Sequence, residues 1–326
     1  MIGIVDVLLR KVWCPEMKKW MVAVPLILLF MSTDTYAKST IQMRMIPAGN
    51  VAQEALQIIS QAKRGTSVNV EMYEFTDSQL AQALIDAENR GASVKVIMDA
   101  SYKQDDVTEQ MLQQAGIPVE RMKVGSDGYT DIDHVKFLQV GNTLLVGSVN
   151  WGKWSDRTTD QDVELRGQAV SVEGRIFFSY DWWQARSGMY VRNTRFPLVF
   201  GRYQLLVDGQ IEPAILNAIN EAKQSIVVRM FAMDRKSLVS ALISAKARGV
   251  SVQVVLDSHY EHFLNEKSYR MLKNAGINVT YDPYKIIMHE KMINIDNGQI
   301  LIMGSANWTN SGMNYNHELD VEIYNS

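Results

Sequence analysis

Two short stretches of the chain carry the residue types that phosphate chemistry needs. Each begins with a histidine and a lysine two residues apart, His134-Val135-Lys136 and His289-Glu290-Lys291. Each ends in Gly-Ser-x-Asn-Trp, as Gly147-Ser148-Val149-Asn150-Trp151 and Gly304-Ser305-Ala306-Asn307-Trp308. In an extended strand residues i and i+2 point to the same side, so each histidine shares a face with its lysine. A neutral imidazole can attack phosphorus or pass a proton, and an ammonium can hold a phosphate oxygen as a point charge. The hydroxyls of Ser148 and Ser305 and the amides of Asn150 and Asn307 can donate to the same oxyanion. One His-x-Lys arises easily by chance. Two, each with the same ending at nearly the same spacing, do not.

A nucleophilic imidazole also needs an acceptor for its second nitrogen. Asp160 and Glu318 stand at matching places beyond the two motifs, 158 residues apart, and are the expected orienting carboxylates. Asp162, Glu164, Asp320 and Glu322 read as charges on a strand face. His317 corresponds to Thr159 in the other motif and reads as structural. His259 and His262 fall in a loop, as surface or substrate-rim residues. No carboxylate cluster stands beside the motifs in the sequence.

The elements that must hold these residues are written twice. Ser67–Lys103 aligns without a gap on Ser225–Glu261, with 15 of 37 positions identical. Only two copies at so long an offset mean a duplicated domain and not a solenoid. Each copy opens with an apolar stripe at helical spacing, Val51, Ala55, Ile58, Ile59 and Ala62 or Ile211, Ala214, Ile215, Ala218 and Ala222. A strand follows (Ser67–Tyr73; Ser225–Phe231), then a helix (Ser78–Asn89; Ser237–Ala247) closed by Arg-Gly, then a β-branched strand (Ser93–Met98; Ser251–Leu256). Alternating strand and helix predicts a layered α/β fold. The motifs themselves read as β-hairpins, the second turning at Asp296-Asn297-Gly298. Val172–Arg186, with Phe177, Phe178, Trp182 and Trp183, has no counterpart in the second copy and reads as core. Trp151 and Trp308 read as packing residues, and Met122–Tyr129 as a candidate site rim.

The pairing of His-x-Lys with a downstream Gly-Ser-x-Asn resembles the phospholipase D superfamily, whose signature is His-x-Lys-x4-Asp followed by Gly-Ser-x-Asn. The second copy fits in full through His289, Lys291, Asp296, Gly304, Ser305 and Asn307. In the first, Gly141 stands where the aspartate would fall, and the second turn is longer by two residues that can be placed at Asp296-Asn297, so the aspartate reads as absent. The resemblance implies two α/β sandwich halves packed about a pseudo-twofold axis around one site. It implies a covalent phosphohistidine, with His134 as nucleophile and His289 as general acid and base. Lys136, Lys291, Asn150 and Asn307 would bind phosphate, with no metal or other cofactor, and Asp296 would be a structural support.

Composition bounds the substrate. The chain has 326 residues, 47% hydrophobic and 21% charged, which excludes disorder and a multi-span membrane protein. Its formal charge of −3 argues against bulk nucleic-acid binding. Lys18 and Lys19, the apolar run Trp20–Met31 and the ending Thr35-Tyr36-Ala37 read as a secretory signal over residues 1–37, with Met17 as an alternative start. The signal would carry away Cys14, the single cysteine, and take the charge to −4. Halves are expected at 38–200 and 201–326, in a secreted or periplasmic monomer. A phospholipid at a membrane surface is the expected substrate. A secreted nuclease and a catalytically degenerate phosphate binder are the alternatives.

Overall fold

The computed structural model describes residues 41–125, 131–152, 155–192, 199–200, 202–284 and 286–325. The expected signal segment, half of the rim loop and part of the connector between the halves lie outside these residues. The described residues form one compact unit, Ile41–Ser326. None of their helices is long and apolar enough to cross a membrane.

The first half runs β1 (Gln42–Pro47), α1 (Ala48–Ser60), β2 (Ser67–Met72), α2 (Ser78–Asn89), β3 (Ser93–Asp99), α3 (Asp106–Gln114), β4 (Val119–Met122), β5 (Lys136–Val140), β6 (Thr143–Gly147) and β7 (Gln161–Arg166). A long helix, α4 (Gln168–Ser187), leads out of it. The second half runs β8 (Val199–Phe200), β9 (Tyr203–Val207), α5 (Ile211–Glu221), β10 (Ser225–Met230), α6 (Lys236–Ala247), β11 (Ser251–Leu256), α7 (His262–Asn274), β12 (Asn278–Tyr281), β13 (Lys291–Ile295), β14 (Ile300–Gly304), α8 (Asn310–Asn314) and β15 (Leu319–Tyr324). The sheet orders are β1-β7-β6-β5-β2-β3-β4 and β12-β11-β10-β13-β14-β15-β9-β8. Read in reverse, the second repeats the first, with β8 added at its edge. In each, three strands from the repeat lie parallel and the motif hairpin pairs antiparallel to the first of them.

Local sequence accounts for the elements. Asp77 caps α2 by accepting from the Gln79 and Leu80 amides at 2.8 and 3.1 Å. The helix buries Leu80, Ala81, Leu84 and Ala87 and ends before Gly91, which sits at φ 86°, a conformation only glycine adopts without strain. Helices α1–α3 and α5–α7 each cover one face of their own sheet, giving two helix-side cores. Trp151 and Trp308 are buried in them. The opposite sheet faces share a third core, where Leu144, Val146, Val163 and Leu165 meet Leu301, Met303, Val321 and Ile323. Phe177 and Phe178 of α4 fill one end of it. The sheets are therefore welded to each other by apolar packing; in the unpaired segment Val172–Arg186, Phe177 and Phe178 are core, whereas Trp182 and Trp183 are half-buried.

The turn aspartate is a structural prop. Asp296 accepts backbone N–H groups from Lys223, Gln224 and Ser225 at 2.8, 2.6 and 2.9 Å and so fixes the start of β10. It follows β13 directly, at φ 50°. Gly141 follows β5 directly, at φ 55°. The position thus exists in the first half with a glycine in it, which corrects the expectation of a missing residue. The amides of Gly65 and Thr66 bond instead to carbonyls of Gly91 and Lys63. Asp296→Ala strips three part-buried backbone donors of their charged acceptor, at about 1–3 kcal/mol for the group. The expected result is a lower melting temperature with kcat unchanged, measured by thermal unfolding beside a turnover assay.

Candidate active site

The two histidines lead into their hairpins, each two residues before the first paired residue of β5 or β13. Each is held from the opposite half. His134 Nδ1 donates to Glu318 Oε2 at 2.9 Å, across 184 residues of sequence. His289 Nδ1 donates to Asp160, at 3.2 and 3.1 Å from its two oxygens. The exchange is set by backbone. The His134 amide donates to the His317 carbonyl, and the His317 amide to the Ile132 carbonyl, both at 2.9 Å. On the other side the Thr159 amide donates to the Ile287 carbonyl at 3.0 Å. Reciprocal contacts of this kind are what a twofold relation between the halves generates. With Nδ1–H committed to a carboxylate, each Nε2 is left with its lone pair for chemistry.

The serine hydroxyls are turned to the orienting carboxylates. Ser148 Oγ donates to Asp160 Oδ1 at 2.7 Å, and Ser305 Oγ to Glu318 Oε2 at 2.5 Å. Each hydroxyl has one proton, and both are spent on the orienting carboxylates. Thr158 Oγ1 and Asn316 Nδ2 supply the second oxygens, at 2.7 and 3.0 Å. The serines are thus positioning residues, a correction to their assignment as phosphate ligands. Asn150 and Asn307 are half-buried, with Oδ1 inward and unpartnered. Their NH2 groups donate to no described residue and remain available to a substrate oxygen.

Lys136 and Lys291 are buried, and each ammonium donates to the carbonyl of the histidine before it, at 2.5 and 2.6 Å. Tyr73 and Phe231, matching residues at the ends of β2 and β10, lie under them with ring centres 5.1 and 4.9 Å from Nζ. The same rings meet His134 and His289 edge-on at 5.1 and 4.6 Å. Sequence reading passed over this aromatic pair, although the repeat aligns it. Asp99 and Asp257 also went unassigned. Asp99 accepts from the Asp133 amide at 2.7 Å and Asp257 from the Met288 amide at 3.1 Å, fixing the residue before each histidine.

Asp162 and Asp320 are not exposed strand charges but are buried, as are Glu164 and Glu322. Asp162 and Asp320 accept from the Val149 and Ala306 amides at 3.1 and 3.0 Å, and so clamp the loops that carry the asparagines. A side chain on Gly147 or Gly304 would collide with them, its Cβ falling 2.6 or 2.5 Å from the Asp162 or Asp320 Cα. Glu164 pairs with Arg44 at 2.6 Å and Glu322 with Gln204. His259 is exposed, as is His262.

Charge is finely set. Burial pushes the His134 imidazole down to about 4, against the pull of Glu318, with Lys136 and Lys291 adding to the push. Burial lowers His289 as well, with Asp160 opposing and both lysines assisting. Each histidine therefore senses the lysine of the other half, which places the two motifs in one site. Burial would raise Asp160, but His289, Lys291 and Ser148 outweigh it and hold the carboxyl at about 2. Burial would also raise Glu318, and His134, Lys136 and Ser305 bring it below its ordinary value. At neutral pH the dyads are neutral imidazole on carboxylate. Burial lowers Lys136 to about 8 and Lys291 to about 7, the latter further pressed by Lys136. A depressed lysine is charged below its pKa and neutral above it. The expected kcat/KM therefore declines as pH rises through 7 to 8. The profile of kcat, in which a bound phosphate restores the lysine charge, breaks at higher pH. Lys291→Arg, which cannot deprotonate, removes the lower break in a pH–rate series.

The fold and this geometry have counterparts among known proteins. A model of the family described as cardiolipin synthase, PLD-like domain, matches residues 55–182 and 215–326. The chain is 26% identical over 293 residues to Probable cardiolipin synthase YwiE of Bacillus subtilis, covering 79% of this chain and 58% of that protein. It is 36% identical over 104 residues to the mitochondrial cardiolipin hydrolase of Homo sapiens, covering 32% of this chain and 40% of the relative. The chain thus spans about half the length of these curated relatives. The solved structure of phosphatidylserine synthase from Haemophilus influenzae superposes with a TM-score of 0.70 at 11% identity, over 90% of this chain and 85% of that one. Two matched repeats, two His-x-Lys motifs and a shared fold lead to one assignment: the chain belongs to the phospholipase D superfamily.

Proposed function

We propose that the chain is a phosphodiesterase that cleaves a phospholipid headgroup ester through a covalent phosphohistidine. The observation that carries the reading is the crosswise pair of dyads, two neutral imidazoles each oriented by a carboxylate of the other half, between two buried lysines. His134 Nε2 attacks phosphorus, and its Nδ1–H stays on Glu318 as positive charge develops on the ring. The P–O bond to the leaving alcohol breaks as His289 gives it the Nε2 proton. That proton is present because the anionic phosphate raises the depressed imidazole on binding. His289 then takes a proton from water, water attacks phosphorus, and the P–N bond breaks to return His134. Lys136, Lys291 and the asparagine NH2 groups hold the non-bridging oxygens throughout. One chain supplies every group, so a monomer suffices, and the proposed setting is secreted or periplasmic.

The lipid assignment is supported by the rim of the second half. Tyr260 and Phe263 are 74% and 95% exposed, and Tyr284 and Ile286 are exposed as well. Tyr260, Tyr284 and Ile286 lie on the segments that leave β11 and β12 and Phe263 in the first turn of α7, at the strand end where His289 begins. Tyr260 is linked to the site through Phe231, their ring centres 6.3 Å apart. Exposed aromatic and aliphatic side chains suit an acyl–headgroup boundary, whereas a polynucleotide would select cations there.

The test is headgroup release from mixed phospholipid vesicles by the full chain as purified, beside His134→Ala. Release that needs His134 supports the reading. Cleavage of DNA or RNA with intact vesicles would replace it with the nuclease reading, and neither activity would leave a phosphate binder. A second reading, transfer of the phosphatidyl group to an alcohol of another lipid in place of water, is favoured by the similarity to a named synthase over most of the chain. Cardiolipin formation from phosphatidylglycerol vesicles would distinguish it from hydrolysis.

A further inference from the structure

Behind the His134–Glu318 dyad the fold buries a second group of titratable side chains that the reaction does not use. Glu71 comes from β2, Asp133 from the residue before His134, Asp181 from α4, Asp208 from the turn after β9, and His317 from the residue before Glu318. All are buried. The sequence gives no hint of this grouping, because its members are spread over both halves and the connecting helix. Among the described residues no lysine or arginine forms an ion pair with Glu71, Asp133 or Asp181.

His317 has an unusual pair of environments. Its Nδ1 is 2.9 Å from Asp208 Oδ1, a good hydrogen bond. Asp208 is itself held by the Tyr190 hydroxyl at 2.8 Å and the Glu318 amide at 3.0 Å. Its Nε2 lies 3.3 Å from Asp181 Oδ2 and 3.4 Å from Glu71 Oε1, yet makes no hydrogen bond. Both Glu71 oxygens, Asp181 Oδ2 and Asp133 Oδ2 are likewise buried without a hydrogen-bond partner. A charged imidazole would draw the carboxylates in to about 2.7–2.9 Å. A neutral one with its proton on Nδ1 would aim a lone pair at two carboxylates.

A cation between them resolves both problems. Around a tetrahedral ion with bonds of about 2.0–2.1 Å, neighbouring donor atoms stand about 3.3–3.4 Å apart. Those are the two separations observed. The Asp208 bond to the far nitrogen is the outer-sphere carboxylate that metal-bound histidines ordinarily keep. We propose that Glu71, Asp181 and His317 form a buried site for a divalent transition-metal ion, zinc by its nitrogen and oxygen donors and tetrahedral spacing. These three side chains supply three of the four positions of a tetrahedral ion. The ion does not face the phosphate. It ties β2, α4 and the residue before Glu318 together, and so acts as a structural staple beneath the dyad. The family resemblance implies no metal for the reaction, and this ion would take no part in it; its ligands converge only in space.

The experiment is elemental analysis of the full chain purified without chelator from zinc-supplemented medium. About one equivalent of metal per chain is expected, as for a structural site. It should be retained in His289→Ala and lost in His317→Gln and Asp181→Asn. Wild-type chain refolded in a strong chelator should melt lower than chain refolded with zinc. This comparison decides the matter if the variants do not fold. Wild-type protein without stoichiometric metal whose melting temperature ignores zinc on refolding overturns the proposal. So does metal retained in His317→Gln. The readouts are metal content and melting temperature, so failure here leaves the phosphodiesterase reading untouched, and the converse holds.

Discussion

His134→Ala is expected to lose turnover by about 10⁴-fold or more, the scale on which removal of an enzymatic nucleophile acts. Nothing else in the site can replace it. The other imidazole is fixed on the far side of the phosphate by Asp160, and the serines have given their protons to carboxylates. His289→Ala should fail differently. With a phosphodiester whose leaving group needs no proton, the first step still runs and the second has lost its base. The covalent phosphohistidine should then accumulate and be visible as an acid-labile mass increase of the intact protein. His134→Ala should show none. If the adduct builds up in His134→Ala and not in His289→Ala, the two roles are reversed.

Glu318→Gln and Asp160→Asn are expected to cost about 10²–10⁴-fold in kcat with little change in KM, since neither residue touches substrate. Each carboxylate accepts from several donors at once. For Glu318 these are His134 Nδ1, Ser305 Oγ and Asn316 Nδ2. An amide has only one accepting end, so one donor must lose its partner whichever way the group turns. The exchange between halves makes the test sharp. Glu318→Gln lies in the second half and should behave as a His134 defect, slow with every leaving group. Asp160→Asn lies in the first half and should behave as a His289 defect, largely rescued by an activated leaving group. Glu318→Asp, which keeps the charge, should recover part of the loss. Equal responses of both variants to leaving group would remove the crosswise assignment.

These pairings mark the limit of what the chain reveals when read in order. The duplicated helices and strands were legible because their apolar periodicity is local. Ser78–Asn89 and Ser251–Leu256 are the elements expected, residue for residue. The histidines, lysines and asparagines were legible because their motif is contiguous. Partners were not. Asp160 and Glu318 could be recognised as acceptors, yet the histidine each serves depends on how two halves pack. Asp162 and Asp320 looked exposed because they alternate with apolar residues, but here both strand faces are buried and the carboxylates meet loop amides beside a glycine. Ser148 and Ser305 looked like phosphate donors because hydroxyls can be. Which acceptor takes the proton is a matter of distance. The acidic group around His317 left no sequence pattern at all.

The exchanged carboxylates also govern timing. A chain made from its N-terminus completes the first hairpin long before the residue that orients its histidine exists, since 184 residues separate His134 from Glu318. The earlier half can collapse around its own helix-side core, but its imidazole has no acceptor and its approach strand no partner. Reactivity is thereby withheld during synthesis and arrives only when the later half docks. A nascent or misassembled chain is thus a phosphate-reactive protein with its trigger missing, and the appearance of activity during refolding should track docking of the halves and not the formation of either one.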